Sequence, residues 1–152
     1  MKVGIIVYSQ TGNTFAVAEK LKEKLAAAGH AASIERLTTV GGETDPGRAK
    51  IEKLPDLSGY DALVFAAPVQ AFSVSRVMAN YMKQLPKLDN RKVAVFVTKG
   101  LPFNFTGGSK AIAQMTGEAG AHGGRVVASG IIHWGKREKE VPELIAKLSS
   151  AF

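Results

Sequence analysis

Three hydroxyls and a glycine stand within six residues of one another, at Ser9, Thr11, Gly12 and Thr14, with Gln10 and Asn13 between them. They follow the apolar run Val3–Tyr8 and precede a helical pattern. A strand that turns through hydroxyls into a helix start makes an anion pocket. Backbone N–H groups converge there, the helix dipole adds positive potential, and hydroxyls donate further hydrogen bonds. The turn holds no Lys or Arg, so its donors are neutral, which suits one monoester phosphate better than a triphosphate with magnesium. Gly, four residues and Gly-Lys-Ser/Thr are not present in it, nor is Gly-x-Gly-x-x-Gly. The plainer reading of the same residues is a capped helix start, with Thr11 or Asn13 as N-cap.

The elements that would position this turn follow from periodicity. A helix is expected over about 13–28, with Ala18, Leu21, Leu25 and Ala28 on one face and Gly29 ending it. Residues 31–37 read as a half-exposed edge strand. Gly41, Gly42, Asp45, Pro46 and Gly47 mark a loop, and 48–54 reads as a short helix. Buried strands are expected from Ala62 to Pro68, over 93–98 and over 125–132. Helices are expected over about 74–86, from Gly107 and Gly108 to about 119, and over 140–151. Strand and helix in alternation require a parallel sheet covered on both faces.

With 152 residues and 45% hydrophobic content, the chain reads as one domain over 1–152. It has no cysteine, which excludes disulfides, thiol nucleophiles and thiolate metal sites. Its three scattered histidines do not read as a metal site. No apolar run is long enough to span a membrane, and no signal segment is evident, so membrane insertion is not expected and a cytoplasmic location is. Net charge is +7 and uneven, because residues 62–117 carry Arg76, Lys83, Lys87, Arg91, Lys92, Lys99 and Lys110 against the single acid Asp89. This reads either as a solvated basic surface or as one facing an anionic partner. No nucleic-acid motif accompanies it, so nucleic acid is not the expected partner.

Residues 9–14 match, position for position, the Ser/Thr-x-Thr-Gly-Asn-Thr signature of the flavodoxins, and the chain resembles that family almost end to end. The resemblance implies a three-layer α/β/α flavodoxin-like fold with a five-stranded parallel sheet in the order 2-1-3-4-5. It implies FMN as cofactor and electron transfer as function. The phosphate falls to Ser9, Gln10, Thr11, Gly12, Asn13 and Thr14. The isoalloxazine ring falls to two loops, one with Pro68, Val69, Gln70, Ala71 and Phe72, the other with Thr98, Lys99, Gly100 and Phe103. Phe105 is the alternative ring plate to Phe103.

The chain also departs from the pattern. Typical members carry Trp and Tyr in these loops with acids nearby, whereas here the plates are Phe, both loops lack Asp and Glu, and Lys99 is present. A positive rim should make the flavin's potential less negative than in acidic members. A unit charge several ångströms away is worth on the order of 2 kcal/mol at an effective dielectric near 20. The fold is shared with response-regulator receivers, but Ser9 and Ala67 or Pro68 stand where those need acids. The expected partner is a redox protein, or NAD(P)H or a quinone, and an anionic one. The alternatives are a small FMN-dependent NAD(P)H:quinone or flavin oxidoreductase, and a binding protein of this fold without redox work. No catalytic residue is assigned. His133 and Trp134 read as structural, with the second possibilities that His133 donates to a bound substrate or to reduced flavin and that Trp134 covers the loop at 98–106.

Overall fold

Each buried strand reads as an unbroken apolar run because both of its faces are covered. In the computed structural model, which describes residues 1–40, 50–100 and 107–152, β1 (Lys2–Val7) sends Ile5 and Val7 to one face and Ile6 to the other. The same alternation runs through β3 (Ala62–Gln70) and β5 (Lys92–Lys99). One core layer packs Phe65, Val95 and Val97 under α2 (Arg76–Lys83) and α3 (Gly108–Ala121). The other packs Val64 and Phe96 under α1 (Asn13–Ala27) and α4 (Arg137–Ser150), through Val17, Leu21, Leu144 and Leu148.

The two remaining parallel strands, β2 (Ala31–Arg36) and β6 (Arg125–His133), are the edges and are only partly buried. The parallel order is β2-β1-β3-β5-β6, with a short β4 (Ser73–Val74) paired antiparallel to the end of β3. The five parallel strands thus stand in the expected order, and β4 is an addition to it. A single 3₁₀ turn, Trp134–Lys136, joins β6 to α4.

Two expectations are corrected. The strand expected to stop at Pro68 continues to Gln70, because β4 supplies it with a partner. Residues 50–54 contain no helix. Ile51 instead makes an isolated antiparallel bridge to Thr39 and packs on the core, so its apolar side chain serves an extended segment. Residues 48 and 49 lie outside the described residues. Among the described residues, no helix is long and apolar enough to cross a membrane.

Candidate functional site

The C-terminal edge of the sheet brings together the turn after β1, the hairpin between β3 and β4, and the end of β5. In open α/β sheets this edge, where the strand order reverses, is where ligands bind, and flavodoxin is a standing example of that rule.

The turn is closed by Ser9. Its Oγ accepts hydrogen bonds from the N–H of Gly12 (3.1 Å) and of Phe15 (3.3 Å), and the residue is 5% exposed. Neither Thr11 nor Asn13 caps α1. The N-cap is Gly12, which makes no side-chain cap and sits at φ 91°. That left-handed conformation carries no penalty only for glycine. Nothing lies within 4 Å of where a Cβ would stand, so the backbone conformation, not crowding, selects glycine here. The N–H groups of Gln10, Thr11, Asn13 and Thr14 have no protein acceptor among the described residues. Four unpaired donors at a helix start are the chemistry an anion needs.

Thr14 also has a partner within the protein. It is 1% exposed, and its Oγ1 lies 2.8 Å from the Oγ1 of Thr98, itself 3% exposed. The pair ties the first turn of α1 to the end of β5. Thr98 continues the face of Ala94 and Phe96 toward α1, which is why the two hydroxyls meet. If Thr98 is the donor, the Thr14 proton remains for an anion.

The hairpin carries Gln70, Ala71 and Phe72. Val69 pairs with Val74 and Gln70 with Ser73, leaving Ala71 (φ 49°) and Phe72 (φ 64°) as a two-residue loop in left-handed conformation. Such loops normally take Asn and Gly. Two non-glycine residues there store strain, which collects at functional sites. The Phe72 ring is 59% exposed. Gln70 donates from Nε2 to Oε1 of Gln10, fastening the hairpin to the turn, and the Val74 N–H donates to Gln114 Oε1 of α3. Gly107 presses on the hairpin from the other side, since a Cβ there would come within 2.4 Å of the Phe72 carbonyl carbon.

Lys99 faces away from Thr98, toward α3. It is only 4% exposed, and a Cβ on Gly108 would stand 3.2 Å from its Cδ. Burial pushes its ammonium pKa down from the usual lysine value. The charge expected on the open rim is therefore set into the wall of the site. Gly100 is exposed. Phe103 and Phe105 lie outside the described residues.

His133 and Trp134 both have structural contacts. The His133 N–H donates to Glu140 Oε1 (2.7 Å), and its Nδ1 lies 3.1 Å from the same carboxylate, linking β6 to α4. Trp134 lines a groove between α1 and α4 with Ala16, Val17 and Val141, and Arg137 stacks on it at 5.2 Å. That position is on the α1 side of the sheet; residues 101–106 of the loop it was expected to cover lie outside the described residues.

The basic side chains of 62–117 do not form one patch at this edge. Lys92 begins β5 at the opposite end of the sheet, and Arg91, beside it, donates to the carbonyls of Leu57, Tyr60 and Leu88. Arg76 and Lys110, at the starts of α2 and α3, remain exposed near the hairpin. Sequence reading missed Arg36. At the end of β2, its Nη2 donates to the Ser9 carbonyl (3.2 Å) and its guanidinium lies 4.8 Å over the Phe15 ring. The signal was available, because parallel pairing of β2 with β1 places residue 36 beside Val7.

The fold has clear relatives among solved structures. Megasphaera elsdenii flavodoxin superposes with TM-score 0.71 at 20% identity, covering 97% of this chain and 98% of that one. Bacillus cereus flavodoxin 2 gives 0.73 at 18% identity, over 99% and 97%. A flavoprotein of Lactobacillus acidophilus NCFM, solved in complex with FMN, gives 0.65 at 16% identity, over 91% and 97%. At these identities the likeness speaks for the fold. No curated protein sequence matches the chain. The model of a flavodoxin domain matches residues 4–118, most of the chain and all of the elements that build this edge up to α3. The chain belongs to the flavodoxin domain family.

Proposed function

We propose that this protein binds FMN at the C-terminal edge of its sheet and carries electrons between a donor and an acceptor in the cytoplasm. The observation that carries the reading is the turn 9–14, where the N–H groups of Gln10, Thr11, Asn13 and Thr14, at the start of α1, have no acceptor among the described residues. These donors fit a phosphate monoester. The exposed Phe72 ring on a strained hairpin, 59% accessible beside that turn, fits a flat aromatic ligand. Bound FMN would supply the redox chemistry. The chain's own groups would bind it, orient it and set its electrostatics. Both ring loops lack acids, so nothing in their sequence opposes the negative charge that reduction adds.

A second reading shares this site: a small FMN-dependent oxidoreductase fed by NAD(P)H and reducing quinones or flavins. The imidazole–carboxylate pair of His133 and Glu140, at the same edge, is the observation in its favour. Steady NAD(P)H oxidation with a quinone acceptor would select it over the carrier.

The binding test is a fluorescence titration of the apoprotein with FMN and with riboflavin. FMN should quench and bind much more tightly. Equal affinity for the two would remove the phosphate from the account, and absence of quenching by FMN would leave a binding protein of this fold without flavin chemistry.

A further inference from the structure

The turn 9–14 contains no charged residue, yet a full positive charge is held against it. Arg36 ends β2, and the register of β2 on β1 sets it beside Val7, two residues before Ser9. Its side chain lies on the α1 side of the sheet, the side that Ile34 also takes. Two contacts locate the guanidinium. Nη2 donates to the Ser9 carbonyl at 3.2 Å, and the carbon at its centre lies 4.8 Å over the ring of Phe15 in the first turn of α1. It is thus bracketed between the first residue of the turn and the helix that follows.

Among the described residues, Arg36 makes no ion pair and no other hydrogen bond. The neighbouring carboxylate, Glu35, points to the opposite face and accepts from the Tyr60 hydroxyl at 2.8 Å. A guanidinium offers five N–H donors and keeps its charge at any ordinary pH. One of the five has an acceptor among the described residues, the Ser9 carbonyl.

We infer that Arg36 is a specificity-determining residue of the anion site, selecting ligands that end in a phosphate monoester over their uncharged counterparts. It does so in two ways. It engages the Ser9 carbonyl, an acceptor that would repel an anion in the turn. It also holds a fixed positive charge on the first residue of the turn whose N–H groups at Gln10, Thr11, Asn13 and Thr14 have no acceptor among the described residues, and a phosphate near neutral pH carries between one and two negative charges. The pocket is therefore charged rather than neutral, and its affinity is salt-dependent. The identity of the natural ligand rests on the FMN reading above, whereas the preference for an anion does not.

The test compares wild type, Arg36→Gln and the charge-retaining Arg36→Lys. Apoprotein is titrated with FMN and with riboflavin at low and high ionic strength. Arg36→Gln should weaken FMN about tenfold at low salt, the size of one screened charge interaction at close range, and leave riboflavin unchanged. The loss should shrink as salt rises, and Arg36→Lys should retain most of the affinity. Equal weakening of FMN and riboflavin would mean that Arg36 only shapes the turn and would overturn the inference. So would unchanged FMN affinity in Arg36→Gln.

A second probe separates this result from the FMN reading. Inorganic phosphate is added while the amide NMR signals of Gln10, Thr11, Asn13 and Thr14 are followed. If no flavin binds but phosphate shifts these signals more in wild type than in Arg36→Gln, the flavin reading fails and the role of Arg36 stands. Phosphate shifts of equal size in both proteins, or none in either, would overturn it.

Discussion

Ser9, Thr14 and Lys99 each do something the residue type alone does not state. Ser9 spends its acceptor capacity on Gly12 and Phe15 and so shapes the turn. Thr14 is shared with Thr98. Lys99 is the most consequential. Expected as a rim charge, it is buried against α3, and desolvation lowers its pKa. Charge reversal would therefore bury a carboxylate, whereas Lys99→Met keeps the stem and removes only the ammonium. A lysine whose folded pKa lies below its unfolded value binds fewer protons when folded. Its contribution to stability is most unfavourable at neutral pH and is relieved as pH rises from the folded value toward about 10.5. The stability of wild type relative to Lys99→Met should therefore rise as pH climbs from neutral toward about 10. Tyr60, whose pKa is raised by burial and by its bond to Glu35, titrates in the same range with opposite sign. It is present in both proteins and cancels in the difference. Urea unfolding at the two pH values measures it. A constant difference would show that Lys99 does not titrate on unfolding.

The hairpin of β3 and β4 shows how far an element can be read without its partners. The loop was legible at 67–73 from Pro68 and the apolar strand before it. Its form was not, because Ala71 and Phe72 carry none of the Asn-Gly chemistry that marks such a turn. The conformation is imposed from outside, by the pairing of Val69 with Val74, by Gln10 on Gln70, and by Gly107 against the Phe72 backbone. Ala71→Asn should relieve left-handed strain and stabilise the protein by about 1 kcal/mol, since asparagine tolerates that region far better than alanine. Thermal or urea unfolding checks it, and a variant no more stable than wild type would mean that the turn is not strained in solution. α1 and α4 were legible because their apolar spacing is long and regular. The expected helix at 48–54 rested on a short stretch without such spacing, and Ile51 answers to Thr39 instead.

At the scale of the whole molecule, the basic excess divides. Arg91 and Lys92 serve the opposite end of the sheet. Arg36, Arg76 and Lys110 remain exposed around the candidate site, and none of them makes an ion pair among the described residues. With a net charge of +7, encounter with an anionic electron donor or acceptor should be accelerated at low ionic strength. Stopped-flow reduction of the FMN-loaded protein by an anionic reductant should slow severalfold between low salt and about 0.5 M salt, where the Debye length falls to a few ångströms. A rate indifferent to salt would leave the basic residues as solvated surface. The sequence by itself determined the alternation of strand and helix that requires a parallel sheet, and the turn at 9–14, because hydrophobic periodicity and the Ser-Gln-Thr-Gly-Asn-Thr run are local properties of the chain; the strand order came only from the family resemblance that this run carries. Only the tertiary structure decided which residues border that turn. Arg36 is 27 positions from Ser9 and Thr98 is 84 from Thr14. Strand pairing, which no local pattern encodes, brings each of them to its partner.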